Sequence, residues 1–94
     1  MSFTVYILYG VKLNKYYIGQ TSNLSERIIF HNNASFENSY TSKSDDWTLF
    51  FSIDCKSLKQ ALGVEKHIKS MKSRKYIENL VKYPDISKRL LDRY

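Results

Sequence analysis

Cysteine, proline and glycine are scarce in this 94-residue chain, which has one, one and three of them. The lone Cys55 cannot close an internal disulfide, and no Cys/His grouping has zinc-ligand spacing. A disulfide framework and a structural zinc are therefore both excluded as the source of stability. No apolar run approaches the ~18 residues that a membrane-spanning helix needs, and the N-terminus has no charged segment leading into an apolar one. The expectation is a cytoplasmic protein with no membrane partner. Repeats and low-complexity segments are also missing, and the length allows one compact domain. A chain of this size buries ~60–65% of its unfolded surface, enough for a small core.

Acidic residues are few where basic ones crowd together. Residues 1–54 carry four Lys/Arg against five acids, whereas residues 55–94 carry eleven against four. A half with a net charge of +7 suits a polyanion, and nucleic acid is the commonest such partner. A lysine-rich solvated helix face would look the same. What the chain has in quantity is aromatic side chains, eight of them tyrosine, which supply bulk but leave hydroxyls in need of partners.

The pattern along the chain predicts an α+β domain of order ββαβ followed by two or three helices. Phe3 to Tyr9 and Tyr16 to Gln20 are β-branched and aromatic and form a hairpin across the turn residues between them. Ser22 or Asn23 caps a helix running to about Asn33, with Glu26 completing a capping box. Asn33 to Asp46 reads as a polar surface loop and Trp47 to Ile53 as a third strand. Ser57 caps a long helix, Leu58 to Met71, and Ser73 caps another, Arg74 to Lys82. Pro84 ends that segment, and Asp85 or Ser87 begins a short basic helix reaching residue 94.

At 100° per residue, Leu24, Arg27, Ile28 and His31 share one sector of the first helix, so Arg27 and His31 lie on its inward face. On the long helix, Leu58, Ala61, Leu62 and Ile68 define an apolar stripe with Glu65 near its middle and Lys69 one turn on. Charges in such places need partners. Arg27 could cover the core with its stem while its head reaches water, and Glu65 could simply pair with Lys69. Taken together, the two helices say more. Both are expected to cover the same small sheet, on which Tyr6 and Tyr17 occupy neighbouring strands. If the tyrosines share the helices' side, two phenols, a guanidinium, an imidazole and a carboxylate meet, a set that no purely structural core needs.

These residues resemble the GIY-YIG endonuclease family, in particular its small single-domain bacterial members. The first half of the signature is reduced to Val5-Tyr6-Ile7-Leu8, and the second is intact as Tyr17-Ile18-Gly19. Asn23-Leu24-Ser25-Glu26-Arg27, His31-Asn32, Tyr40-Thr41, Trp47-Thr48-Leu49 and Ala61 through Lys69 follow in order. The resemblance covers residues 3 to about 82. It implies a three-stranded antiparallel sheet flanked by helices and metal-dependent cleavage of nucleic acid, DNA in the first instance, by a monomer or weak homodimer.

By the same resemblance Tyr6 and Tyr17 are the signature tyrosines and Arg27 the signature arginine. His31 matches a position where family members carry histidine or tyrosine, and Glu65 matches the ligand for Mg²⁺ or Mn²⁺. Tyr6 is favoured as general base and Tyr17 is the alternative. Lys66, Lys69, Lys72 and Lys75 are the expected nucleic-acid contacts. Gln20 stands where certain repair members have a lysine, a role that Lys15, Lys43 or Lys69 could fill. The competing expectations are a module that binds nucleic acid without cutting it and an adaptor that binds protein through its tyrosines.

Overall fold

The computed structural model describes residues 2–32 and 46–94, with only the backbone at positions 30 and 31. The loop expected between Asn33 and Asp46 thus lies, but for its last residue, outside the described residues, as do Tyr40, Thr41 and Lys43. Seven elements follow in chain order: β1 (Phe3–Gly10), β2 (Lys15–Thr21), α1 (Leu24–Asn32), β3 (Trp47–Cys55), α2 (Leu58–Met71), α3 (Arg74–Lys82) and α4 (Pro84–Arg93). The strands form one antiparallel sheet of order β2-β1-β3, as expected of an α+β domain.

Local chemistry sets most of the boundaries. Asn23 and Glu26 close the capping box of α1, with the Asn23 Oδ1 accepting from the Glu26 amide at 3.2 Å and Asn23 Nδ2 donating to Glu26 Oε2 at 2.8 Å. The Ser57 and Ser73 hydroxyls accept from the Gln60 and Tyr76 amides, each at 3.1 Å, and start α2 and α3. Lys72, in the left-handed region with φ 49°, ends α2 and turns the chain into α3. Pro84 is the first residue of α4 and not merely the end of the preceding segment. An amide hydrogen is dispensable there and the fixed φ of proline suits the first turn.

Alternation along β1 divides the core in two. Val5 and Ile7 face Ala61, Val64 and Ile68 of α2, together with Ile77, Leu80 and Leu90 of α3 and α4. Tyr6 and Leu8 face the other way, toward Trp47, Tyr17 and the α1 residues Leu24 and Ile28. The two helices therefore cover opposite faces of the sheet, where a shared side was the condition set by the sequence. A bulge in β3 sets which of its residues face each side. Ile7 pairs with Phe51 but Leu8 pairs with Leu49, so the phase of β3 flips at Phe50. Trp47 then faces α1 while Ile53 and Cys55 face α2.

Asn32 ties the end of α1 to the outer edge of β3. Its amide donates to the Trp47 carbonyl at 2.9 Å and accepts from the Trp47 N–H at 2.7 Å. Asn32→Ala leaves both backbone groups of a buried residue without these partners, so a loss of about 1–3 kcal/mol is expected. Urea denaturation of the variant measures it, and an unchanged midpoint would mean that α1 is held by packing alone.

Candidate active site

Tyr6 lies at the centre of the α1 face, with only 1% of its surface exposed. Tyr6 pairs in register with Gly19 and its ring lies across that residue. A β-carbon at Gly19 would stand 2.5 Å from the Tyr6 hydroxyl and 2.6 Å from Cζ. No glycine in the described chain has a positive φ, so the space taken by the phenol, and not backbone conformation, requires glycine here. Tyr17 sits beside it, the rings tilted at 33° with centroids 6.3 Å apart, and Trp47 closes on the far side of Tyr17 at 6.4 Å.

Arg27 reaches this pair from α1 and donates a hydrogen bond to the Tyr6 hydroxyl. It also walls a cleft of about 250 Å³ at the β2–α1 junction, together with Thr21, Ser22, Asn23 and Glu26. Glu26 is engaged by Asn23 in the capping box. His31 is in α1, but its side chain lies outside the described residues.

Glu65 comes to the site from the opposite helix layer. The buried stripe of α2 is Gln60, Ala61, Val64 and Ile68, whereas Leu58 and Leu62 are nearly half exposed. Glu65 is thus on the flank of the inward face and not at its centre, with its side chain 17% exposed. Lys69, one turn on, lies 3.7 Å from Glu65 Oε1 and lines a cavity with β2 residues Tyr16 and Ile18. That flank accordingly runs along the edge strand β2. Glu65 acts electrostatically on Tyr6, as the weakest of the neighbours that do. A site that straddled the β2 edge would let helices on opposite faces both serve it.

These neighbours set the acidity of Tyr6. Burial, reinforced by the adjacent Tyr17, pushes its pKa up to about 12, while the charge and hydrogen bond of Arg27 oppose the rise and Glu65 adds slightly to it. An unfolded tyrosine titrates near ~10. The folded value is the higher one, so the stabilising contribution is whole below pH ~10 and disappears as pH rises through about 12. Subtracting the tyrosinate titration of Tyr6→Phe from that of the wild type should isolate one phenol with this raised midpoint. A difference curve centred near 10 would place Tyr6 in water.

Along β2, Lys69 and Lys72 line a cavity of about 200 Å³ with Lys15, Arg74, Tyr16 and Ile68 among its walls. Arg74 is held in place, donating to the Asn14 carbonyl and Oδ1 at 3.0 Å each, with its guanidinium 5.2 Å from the Tyr16 ring centre. Lys66 and Lys75 are exposed. Lys15 and Arg74 were absent from the expected contact set, because they are far apart in sequence and meet only through the β1–β2 turn. Among the described substitutes for the lysine missing at Gln20, Lys15 and Lys69, it is Lys69 that is placed against Glu65.

Among the described residues no three or more His, Cys, Asp or Glu side chains cluster to hold a metal. A site made of Glu65 alone fits Mg²⁺ or Mn²⁺, since Mg²⁺ commonly keeps several waters and binds through one or two carboxylates plus a substrate phosphate. No described helix is long and apolar enough to cross a membrane.

Comparison with known proteins gives one match. The family model of the GIY-YIG catalytic domain matches residues 2–77. No curated protein and no solved structure matches the chain.

Proposed function

Because the chain belongs to the GIY-YIG catalytic-domain family, we propose that it is a metal-dependent endonuclease that hydrolyses phosphodiester bonds in DNA. The family is one of nucleases that act on nucleic acid. The observation that supports activity in this chain is the grouping of Tyr6, Tyr17 and Arg27, with Glu65 acting electrostatically on Tyr6, from four different elements. A fold kept for binding alone would not need a carboxylate within electrostatic reach of a buried phenol.

Arg27 places a planar donor fork beside the cleft, where it binds a non-bridging phosphate oxygen and stabilises the charge that develops there. Tyr6 takes the proton from the attacking water, with Tyr17 as the alternative base. Its high pKa makes the phenolate a strong base but a rare species at neutral pH, so the Arg27 hydrogen bond has to favour the ionised form. Cutting should therefore accelerate with rising pH through the neutral range. Glu65 holds a divalent cation, which supplies charge stabilisation on the phosphate and the leaving oxygen when bound. Lys69, beside Glu65, adds a further cation at the phosphate.

The basic cavity along β2, with Lys15, Lys69, Lys72 and Arg74, holds the backbone of the substrate away from the scissile bond. Such contacts carry no base information, and the logarithm of affinity should fall linearly with that of salt, by about 0.9 for each phosphate neutralised on duplex DNA. The test is incubation with plasmid and with branched DNA in Mg²⁺, Mn²⁺ or EDTA, with binding followed by anisotropy across a salt series. Nicking that requires metal supports the nuclease. Tight, salt-dependent binding without nicking favours the module that only recognises nucleic acid, the reading to which Gln20 also lends weight. Salt-insensitive behaviour toward DNA favours the adaptor.

A further inference from the structure

Helix α4 lies beyond the stretch matched by the family model. Where it packs against α2 and α3 it forms a wall of a third, open cavity of about 410 Å³, lined by His67, Tyr76, Ile86, Arg89, Leu90 and Arg93. His67 is two positions from Glu65, about 200° around α2, so this cavity opens away from the site at the β2 edge. The imidazole is oriented by a 2.9 Å hydrogen bond between Nδ1 and the Tyr94 hydroxyl. The His67 ring centre is 6.2 Å from that of Tyr76 and 5.8 Å from that of Tyr94. Gly63 makes room for Tyr94, because a β-carbon there would come within 2.6 Å of its ring. Two guanidiniums complete the wall, and no lining residue is acidic. Two acids adjoin lining residues in sequence: Asp92 opens onto a different cavity with Asp54 and Lys88, and Asp85, beside Ile86, is exposed and outside the lining.

We propose that this cavity binds a single unstacked nucleotide, with its base against the His67 and Tyr76 rings and Ile86, and its phosphate on Arg89 and Arg93. Each part of the wall fits one part of such a ligand. Guanidinium forks match phosphate oxygens in pairs. Aromatic faces accept any base, and stacking of this kind is the usual way that unpaired nucleotides are held. The volume is in the range of small-molecule pockets, roughly 300–1,000 Å³, and larger than a bare phosphate needs. A free mononucleotide and the terminal nucleotide of a strand share this chemistry. The strand source rests on the nuclease reading, whereas the pocket itself does not.

The test is a titration of the isotope-labelled full chain, followed by amide NMR, with AMP, adenosine, inorganic phosphate and a short single strand bearing a 5′-phosphate. AMP is expected to shift the amides around His67, Tyr76 and residues 86–93 saturably. Adenosine and phosphate should each bind at least about tenfold more weakly, since each offers half of the ligand. The double variant Arg89→Gln/Arg93→Gln, altered only at exposed side chains, should lose at least about tenfold in AMP affinity at an unchanged melting temperature. A strand that binds more tightly than AMP assigns the pocket to substrate, and one that binds no more tightly assigns it to free nucleotide. Glu65→Ala should bind AMP as the wild type does, so that failure of cleavage and failure of this pocket are separable. The proposal is overturned if AMP shifts no amides in the cavity, if phosphate alone matches AMP, or if the double variant binds AMP normally. The cluster would then serve only to dock α4.

Discussion

On the proposed mechanism Glu65→Ala should lose strand cutting by roughly 10²–10⁴-fold, because several kcal/mol of charge stabilisation at the phosphate would depend on the cation this carboxylate would hold and each 1.4 kcal/mol is tenfold in rate. The fold should survive. Glu65 is on the flank of α2, and its one ion-pair partner, Lys69, is half exposed at 3.7 Å. Pairs of that kind contribute about 0–1 kcal/mol, so the melting temperature should move by no more than a few degrees. Binding then gives a signature with opposite signs. In EDTA the variant should hold DNA as tightly as the wild type or more tightly, since a negative charge beside the phosphate has gone. In Mg²⁺ that advantage should vanish. Nicking assays with matched anisotropy titrations read both effects, and a variant that cuts at the wild-type rate would remove Glu65 from the chemistry altogether.

Gly19→Ala is the second substitution with a large expected effect, and it acts on the site without touching a titratable group. The added methyl would need the space now filled by the Tyr6 hydroxyl and Cζ, at 2.5 and 2.6 Å. On an open surface a tyrosine could swing aside at little cost. Tyr6 cannot, because it is enclosed by Leu8, Trp47, Tyr17 and Ile28. Either the ring or the β2 backbone must move, and overpacking of this sort costs about 1–3 kcal/mol. The larger consequence is for activity. Shifting the phenol breaks its hydrogen bond with Arg27 and its alignment with Tyr17, and a misplacement of ~1 Å can cost a hundredfold. The expected result is a folded protein with a modestly lowered urea midpoint and a rate reduced by about 100-fold. The tyrosinate titration should change with it, as Tyr6 leaves its buried place and its midpoint falls from about 12. A Gly19→Ala protein with full activity would show that Tyr6 tolerates displacement and is not the base.

Much of the site could be read directly from residues because its signals are local. Asn23 and Glu26 announce a capping box by their spacing, and Ser57 and Ser73 mark helix starts that the structure places at Leu58 and Arg74. The inward place of Arg27 follows from helical periodicity within one turn. Glycine at position 19 could be flagged as a close approach or a special backbone angle, but only the fold shows that it is the first. The inward stripe of α2 is rotated by about a quarter turn from the one expected. Leu58 and Leu62 are as apolar as any core residue, yet the helix sits with Val64 and Ile68 inward, because the third and fourth helices pack against that side too.

The sequence by itself determined the elements, their order, the family and the chemical identity of the groups that meet, since caps, periodicity and motif spacing act over a few residues. Tertiary structure alone decided which faces those groups share. That α1 and α2 lie on opposite sides of the sheet shows in the alternate β1 residues each packs against, and the bulge in β3 at Phe50 and the pairing of Tyr6 with Gly19 decide what meets them there. The meeting of Lys15 and Arg74 beside the turn at Asn14 is likewise settled only by the fold. Each of these joins residues distant along the chain, and their energies come from packing that no local pattern records.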